Sequence, residues 1–340
     1  MELFNEGSIK FYADNVQNRS AGVFFNPMRE FERNLNVILI KALKQDKMEG
    51  IDLFAASGVR GLRLSAETGK FSKIIINDIK TKDTISKNIE LNGIKNAEAS
   101  GFTASKVNCT GLHFDYVDID PFGSPVRYLP NVIASTKLNG VIALTATDTA
   151  PLYGKAKKAC RLKYGAVSMK TSYFNELGLR ILLKRTEELF NIMERSIDPI
   201  FFDVRKHYIR VYVRVARPAQ DRIGFLYQCS KCPNRTVDHF DSCPNCGSKM
   251  IRLGPLWLGR LFDLDLVKSM VAISGGKEKE YLEALSRETE QVSYYTTDEI
   301  ASYLKKPEKS MELMPNGTVL NPKGFRTSND IKNILSAAGS

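Results

Sequence analysis

The sequence predicts an α/β protein built on a doubly wound, mostly parallel sheet, with a smaller α+β unit behind it. Three observations carry this expectation. Short apolar strand candidates alternate with helical patterns between residues 50 and 145. A run of small residues, AASG, joins the first of those strands to a helix. Two CxxC pairs appear only beyond a break in the pattern at ARPA, residues 216–219. A chain of 340 residues is longer than one core usually organises. The boundary is therefore expected at this break, with one domain over 1–217 and a second over 218–340.

The elements follow in order. Ser8–Tyr12 reads as a short strand, and a helix is expected after Pro27, where Phe31, Leu35, Ile38 and Leu39 recur at helical spacing. Gly50–Phe54 is a strand candidate feeding a turn and helix over AASGVRGLRLSAE. Lys73–Ile76 is a second strand, 81–92 a helix, Phe114–Asp118 a third strand and Gly140–Thr145 a fourth. A long amphipathic helix spans Asn175–Ser196. In HYIRVYVRV, residues 207–215, Ile209, Val211, Val213 and Val215 alternate with Tyr208, Arg210, Tyr212 and Arg214. That pattern predicts a half-buried strand with an aromatic and basic outer face. From Thr296 the stretch TTDEIASYLKK reads as a capped helix with acids in its first turn.

Composition limits the function classes. With 43% apolar and 26% charged residues the chain is an ordinary globular protein. No apolar run approaches the roughly 20 residues of a membrane span, and MELFNEGSIKFY lacks the order of a secretory signal. A cytoplasmic protein is expected. The formal net charge of +11 suits a polyanionic partner, although a generically basic surface explains it equally.

Stretch 50–63, GIDLFAASGVRGLR, has the layout of a nucleoside-binding turn: a strand ending in Asp52, small residues through Ser57, Gly58, then a helix N-terminus. Twenty residues past Gly58 stands Asp78, placed to accept both hydroxyls of a ribose. Only Gly58 and Gly61 are present, so the dinucleotide fingerprint is absent, which favours S-adenosylmethionine over a pyrophosphate cofactor. The alternative is an α/β turn with a capping acid.

DIDPFGSP, residues 118–125, follows the third strand, on the side of an open sheet where ligands bind. An exocyclic amine on a nucleobase is a poor nucleophile because its lone pair is delocalised. The Asp120 carboxylate and the Pro121 carbonyl can accept its N–H hydrogens and turn the lone pair outward. Pro121 also fixes the turn, and the Phe122 ring can stack on a base taken out of its helix. The alternative is a rigid, acid-capped turn with Phe122 in the core.

Cys229 and Cys232 (CSKC) with Cys243 and Cys246 (CPNC) have the spacing of a structural zinc ribbon, expected over about 227–252; a vestigial or redox use is the alternative. Cys109 and Cys160 stand alone and read as buried small side chains. His113, His207 and His239 lack partners at metal spacing. Trp257 reads as a packing anchor between the domains. The outer face of HYIRVYVRV, with Lys155, Lys157, Lys158, Arg161 and Lys163, is either a phosphate track or a solvated face.

Taken together, VFFNPMREFERN (23–34), DLFAASGVRGLR (52–63), IINDI (75–79), DYVDIDPFGSP (115–125), KACRLKYGA (158–166), NELGLRILL (175–183), HYIRVYVRV (207–215), GPLWLGRLFD (254–263) and NPKGFRTS (321–328) resemble the S-adenosylmethionine-dependent tRNA (guanine-26-N2) dimethyltransferases. They run in family order over nearly the whole chain. The resemblance implies a Rossmann-like class I methyltransferase domain and a C-terminal tRNA-binding domain, acting as a monomer without an obligate protein partner. It implies that Arg33 grips the methionine carboxylate, that Arg60 or Arg63 contacts the cofactor unless Arg60 only closes the turn, and that Asp78 holds the ribose. It further implies Asp120 as acceptor for the guanine amine, with Phe122 and Phe24 about the extruded guanine. One departure is visible: where the family carries an acid beside an alanine near the adenine, this chain has Asn108 and Cys109. The rival readings are an amino-methyltransferase on ribosomal RNA or DNA adenine, and a non-catalytic zinc-ribbon RNA-binding protein.

Overall fold

The computed structural model describes residues 1–14, 22–218, 222–308 and 317–339; Ala219, at the end of the expected boundary stretch, lies outside them. The chain opens with a hairpin, β1 (Glu2–Glu6) and β2 (Ile9–Ala13), of which only the second strand was legible as a pattern. Pro27 then starts a single 3-10 turn whose Asn26 side chain accepts from the Met28 N–H at 3.0 Å, and helix α1 (Glu30–Ala42) follows.

The central unit alternates through β3 (Met48–Asp52), α2 (Val59–Thr68), β4 (Phe71–Asn77), α3 (Lys82–Leu91), β5 (Ala97–Ser100), β6 (Phe114–Ile119), α4 (Leu129–Ala134) and β7 (Thr136–Ala146), of which β5 and α4 were not expected from the sequence. Two short helices, α5 (Thr149–Leu152) and α6 (Lys157–Tyr164), and the long α7 (Phe174–Ile192) lead to an antiparallel hairpin, β8 (Ser196–Arg205) and β9 (Tyr208–Ala216). The sheet order is β5-β4-β3-β6-β7-β9-β8. Strands β3 to β7 pair in parallel, and β9 joins β7 antiparallel. The chain thus has the mostly parallel, doubly wound sheet expected of it. Helix α7 ends four residues before the expected Ser196, which instead begins β8.

The outer face expected for β9 is sealed at its centre, and only Tyr208 and Arg214 near the strand's ends stay partly exposed. Arg210 is 0% exposed and Tyr212 1% exposed, because β9 is interior to the sheet and α1 covers that face. Alternation marks which residues share a face, not which face meets water.

Beyond residue 222, β10 (Ile223–Cys229), β11 (Arg235–Thr236) and β12 (Met250–Trp257) form the cysteine-bearing sheet. Helices α8 (Leu264–Ile273) and α9 (Gly276–Ser286) turn back onto α1, where Asn34 donates to Glu278 at 2.7 Å. The chain ends with β13 (Tyr295–Thr296), α10 (Thr297–Leu304), β14 (Gly317–Thr318), β15 (Asn321–Phe325) and α11 (Ile331–Gly339). Thr296 caps α10 by accepting from the Glu299 N–H.

One apolar core runs from Ile9 to Leu320 across residues 217 and 218. Trp257 is buried, its indole N–H donating to the Arg260 carbonyl, while its own carbonyl accepts from Arg180 of α7 at 2.9 Å. It is the packing anchor expected of it. None of the described helices is long and apolar enough to cross a membrane.

Candidate active site

A cavity of about 1180 Å³ opens at the carboxyl ends of β3, β4 and β6. One half is made by the β3–α2 turn. The Leu53 N–H donates to the Asp118 carbonyl, Ala55 to Asn77 and Gly58 to Ala55, so the turn is held by its neighbours on both sides. Gly58 needs its missing side chain, since it sits at φ 83°. Gly61 needs it for a different reason: a Cβ would meet Ile76 Cγ1 at 2.7 Å, so the helix could not lie this close to β4.

Asp78 follows β4 at the cavity wall, accepting from the Ala56 and Lys80 N–H groups. Beside it Ile79, 61% exposed, offers an apolar face suited to a purine. Asn108 and Cys109 do not reach this wall. They lie on a 3-10 turn over 104–110 that buries Ala104 and Val107 and points both to solvent. The exposed Cys109 also departs from the buried role expected of it, whereas Cys160 is buried.

The buried oxygens of the wall without a hydrogen-bond partner include Asp52 Oδ2 and Ser57 Oγ. They fit a ligand that brings its own donors, as the amine and hydroxyl groups of S-adenosylmethionine would. Arg33 lines the cavity too, but its Nε and Nη2 are taken by Glu6 and Asn26, so a two-pronged grip on a carboxylate would require displacing Glu6. Arg63 lies behind it, bound to Glu6 and Glu67 and outside the wall.

The other half is the loop after β6. Gly123 and Thr147 exchange two hydrogen bonds, pinning the loop to the end of β7. Asp120 points into the cavity, its Oδ2 accepting from Arg29 at 2.8 Å and from Arg60 at 3.1 Å. Burial alone would raise its pKa, but the Arg29, Arg60 and Arg210 guanidiniums outweigh burial and hold it below the usual carboxylate range. Arg60 therefore serves the Asp120 carboxylate, and bonds Glu32 and Asn36 besides.

Pro121 is buried at the wall, but Phe122 is 81% exposed, against the alternative of a core ring. Phe24 meets it edge to face, with ring centroids 5.4 Å apart. Two rings stacked on either side of a base need about twice the 3.4 Å stacking distance between parallel planes, so Phe122 must swing to admit one. Its 81% exposure among the described residues leaves room for that movement.

Several residues of the site were given no role from the sequence. Arg29 lines the cavity, and Glu32, Asn36, Asp118 and Arg210 lie buried beneath it as a polar floor; the spacing of Glu32 and Asn36 along a face of α1 that otherwise buries Leu35 and Leu39 was the available signal. Arg205, His207 and Tyr208 arrive from the β8–β9 turn, and Lys277, Glu280 and Tyr281 from α9. Among these, Arg205 stacks between the Phe31 and Tyr281 rings.

The four ribbon cysteines lie far along the chain and converge, with all sulfurs within 4.8 Å of one another. The Cys229–Cys246 and Cys232–Cys243 sulfurs are 3.5 and 3.6 Å apart. Tetrahedral zinc–thiolate bonds of about 2.3 Å require roughly 3.8 Å, so the donor set fits zinc with little adjustment. The basic cluster at α6 is open to solvent: Lys155 before the helix and Lys157, Lys158 and Arg161 on it are exposed, and Tyr164 of that helix bonds Ser124 of the loop after β6 at 2.9 Å.

The sequence profile of the N2,N2-dimethylguanosine tRNA methyltransferases matches residues 7–334. The tRNA (guanine(26)-N(2))-dimethyltransferase of Metallosphaera sedula is 31% identical over 338 residues, covering 92% of this chain and 87% of that protein. Its counterpart from Saccharolobus solfataricus is 32% identical over 342 residues, covering 92% and 90%. Among solved structures, Trm1 from Pyrococcus horikoshii in complex with S-adenosyl-L-methionine superposes with a TM-score of 0.89 at 25% identity, covering 99% of both chains.

Proposed function

The chain belongs to the N2,N2-dimethylguanosine tRNA methyltransferase family, and from that premise we propose that it methylates the exocyclic N2 of guanosine 26 in tRNA, with Asp120 taking the amine proton. S-adenosylmethionine supplies the electrophilic methyl group. The observation that carries the reading is an ionised, hydrogen-bonded Asp120 in the same cavity as the Asp78 and Ala55–Ser57 turn and the exposed Phe24 and Phe122 rings.

In this reading Asp78 takes the ribose, Ile79 the adenine face, and Asp52, Ser57 and the free Nη1 of Arg33 the methionine end. Phe24 and Phe122 receive the extruded guanine. Asp120 and the Pro121 carbonyl accept the two hydrogens of its amine and direct the lone pair toward the donor. A nitrogen that has just gained a methyl group is cationic and strongly acidic, so the lowered basicity of Asp120 does not prevent it from taking the proton. Arg29 and Arg60 hold the carboxylate in place before transfer.

Residues 1–217 form the catalytic domain in this proposal, and 218–340 position the tRNA through the zinc ribbon, with α9 closing the cavity. In this proposal the protein acts on tRNA as a monomer in the cytoplasm.

The test is a nucleoside digest after incubating the protein with tRNA and labelled S-adenosylmethionine. Label is expected in N2-methyl- and N2,N2-dimethylguanosine. Label on adenosine alone, or only when DNA is supplied, ends the guanine reading. Asp120→Ala is expected to abolish transfer while leaving cofactor affinity within about tenfold, or ~1.4 kcal/mol.

A further inference from the structure

The charged floor of the cavity does not balance. Three guanidiniums, Arg29, Arg60 and Arg210, face four carboxylates, Glu32, Asp52, Asp118 and Asp120. Three of the acids are paired. Glu32 takes Arg29, Arg60 and Arg210; Asp120 takes Arg29 and Arg60; Asp118 takes Arg210 and lies 3.6 Å from Arg60. Asp52 has no ion pair among the described residues, is 1% exposed, and keeps Oδ2 unpartnered in the wall beside Ala55–Ser57.

We propose that Asp52 is the counter-charge for the cationic methionyl end of the methyl donor and gives up a proton to solvent when the donor binds. The proposal rests on reading this cavity as the S-adenosylmethionine site. With Asp52 protonated the empty floor carries three charges of each sign. When the donor arrives, its positive charge replaces the departing proton and the balance is kept.

The neighbours act in that direction. Burial first, then Asp118 on β6 and Asp120 on the following loop, push the Asp52 carboxyl up to about 8. Arg60 of α2 and Arg210 of β9 oppose this but already serve the other acids, while Glu32 and Arg29 complete the floor from the α1 side. A group with that pKa is about nine-tenths protonated at pH 7, and binding that requires its anion strengthens as pH rises toward 8.

Titration calorimetry of the full chain at pH 7, in buffers of contrasting ionisation enthalpy, reads the proton directly. S-adenosylmethionine is expected to release about 0.9 proton per site, with affinity rising about tenfold from pH 6 to pH 7. The donor carries an ammonium and a sulfonium, and S-adenosylhomocysteine only the ammonium. Equal release by both ligands assigns the ammonium as partner; release by the donor alone assigns the sulfonium. Asp52→Asn is expected to bind without release and without the pH dependence, which separates Asp52 from the exposed His207 in the same wall. Donor binding with no proton released by the wild-type chain, or unchanged release by the Asn variant, overturns the proposal. No binding heat at all removes the cofactor site and the proposal with it.

Discussion

Replacing Arg210 by Met tests the charged floor most directly. Its side chain is fully buried and donates to Asp118, to Thr145 at 2.7 Å and to the Tyr212 hydroxyl at 2.8 Å, and it pairs with Glu32 at 2.9 Å. Met fills a similar volume without charge. Asp118 is then left with the Tyr116 hydroxyl and a guanidinium 3.6 Å away. Removing one partner of a buried ion pair costs about 3–5 kcal/mol. For 340 residues the unfolding entropy is about 0.7 kcal/mol/K, so Tm is expected to fall by about 4–7 °C. Arg214→Met on the same strand is the control: its side chain is 31% exposed and 3.8 Å from Asp198, and its loss is expected to shift Tm by less than about 1 °C.

The pH dependence has a definite sign. Burial would raise the Glu32 pKa, but Arg60, Arg210 and Arg29 hold it well below the usual range. A depressed carboxyl contributes stability above its unfolded pKa and loses it as pH falls through the folded value. The Arg210→Met deficit is therefore largest near pH 7 and shrinks below about pH 4. Thermal unfolding followed by circular dichroism measures both variants. Equal losses at the two positions would refute the buried role of Arg210.

Other outcomes follow from the same geometry. Phe122→Ala is expected to leave Tm within about 1 °C, because the ring is exposed, yet to slow methyl transfer roughly 5- to 150-fold through loss of one stacking partner; an unchanged rate would remove Phe122 from the base-binding role. Metal analysis should find one zinc per chain, and Cys232→Ser should lose it together with tRNA affinity; full zinc content in that variant would contradict the four-sulfur site. Lys157→Ala, Lys158→Ala and Arg161→Ala combined should weaken tRNA binding and reduce its salt slope by about two to three, with cofactor affinity unchanged, since these exposed cations have no acidic partner among the described residues. An unaltered slope would mark α6 as a solvated face.

Much is legible in the sequence alone. Alternating strand and helix patterns revealed β3, β4, β6 and β7, though not the four-residue edge strand β5, because period 2 and period 3.6 are local properties of the chain. Gly58, Asp78 and DIDPFGSP were visible for the same reason: each does its work within a few residues of a strand end. The paired CxxC turns declared a metal site by spacing alone.

What the sequence could not decide was which distant surfaces meet. Arg210 and Arg214 occupy equivalent places in one alternating pattern, yet one is sealed under α1 and the other is partly open to solvent. Lys277 and Glu280 carry no motif and reach the cavity only because α8 and α9 fold back onto α1. The unpaired Asp52 likewise has its meaning only against the three guanidiniums and three carboxylates that four other segments bring to the floor. Burial and charge balance are sums over everything in the neighbourhood, and the tertiary fold alone chooses the neighbours.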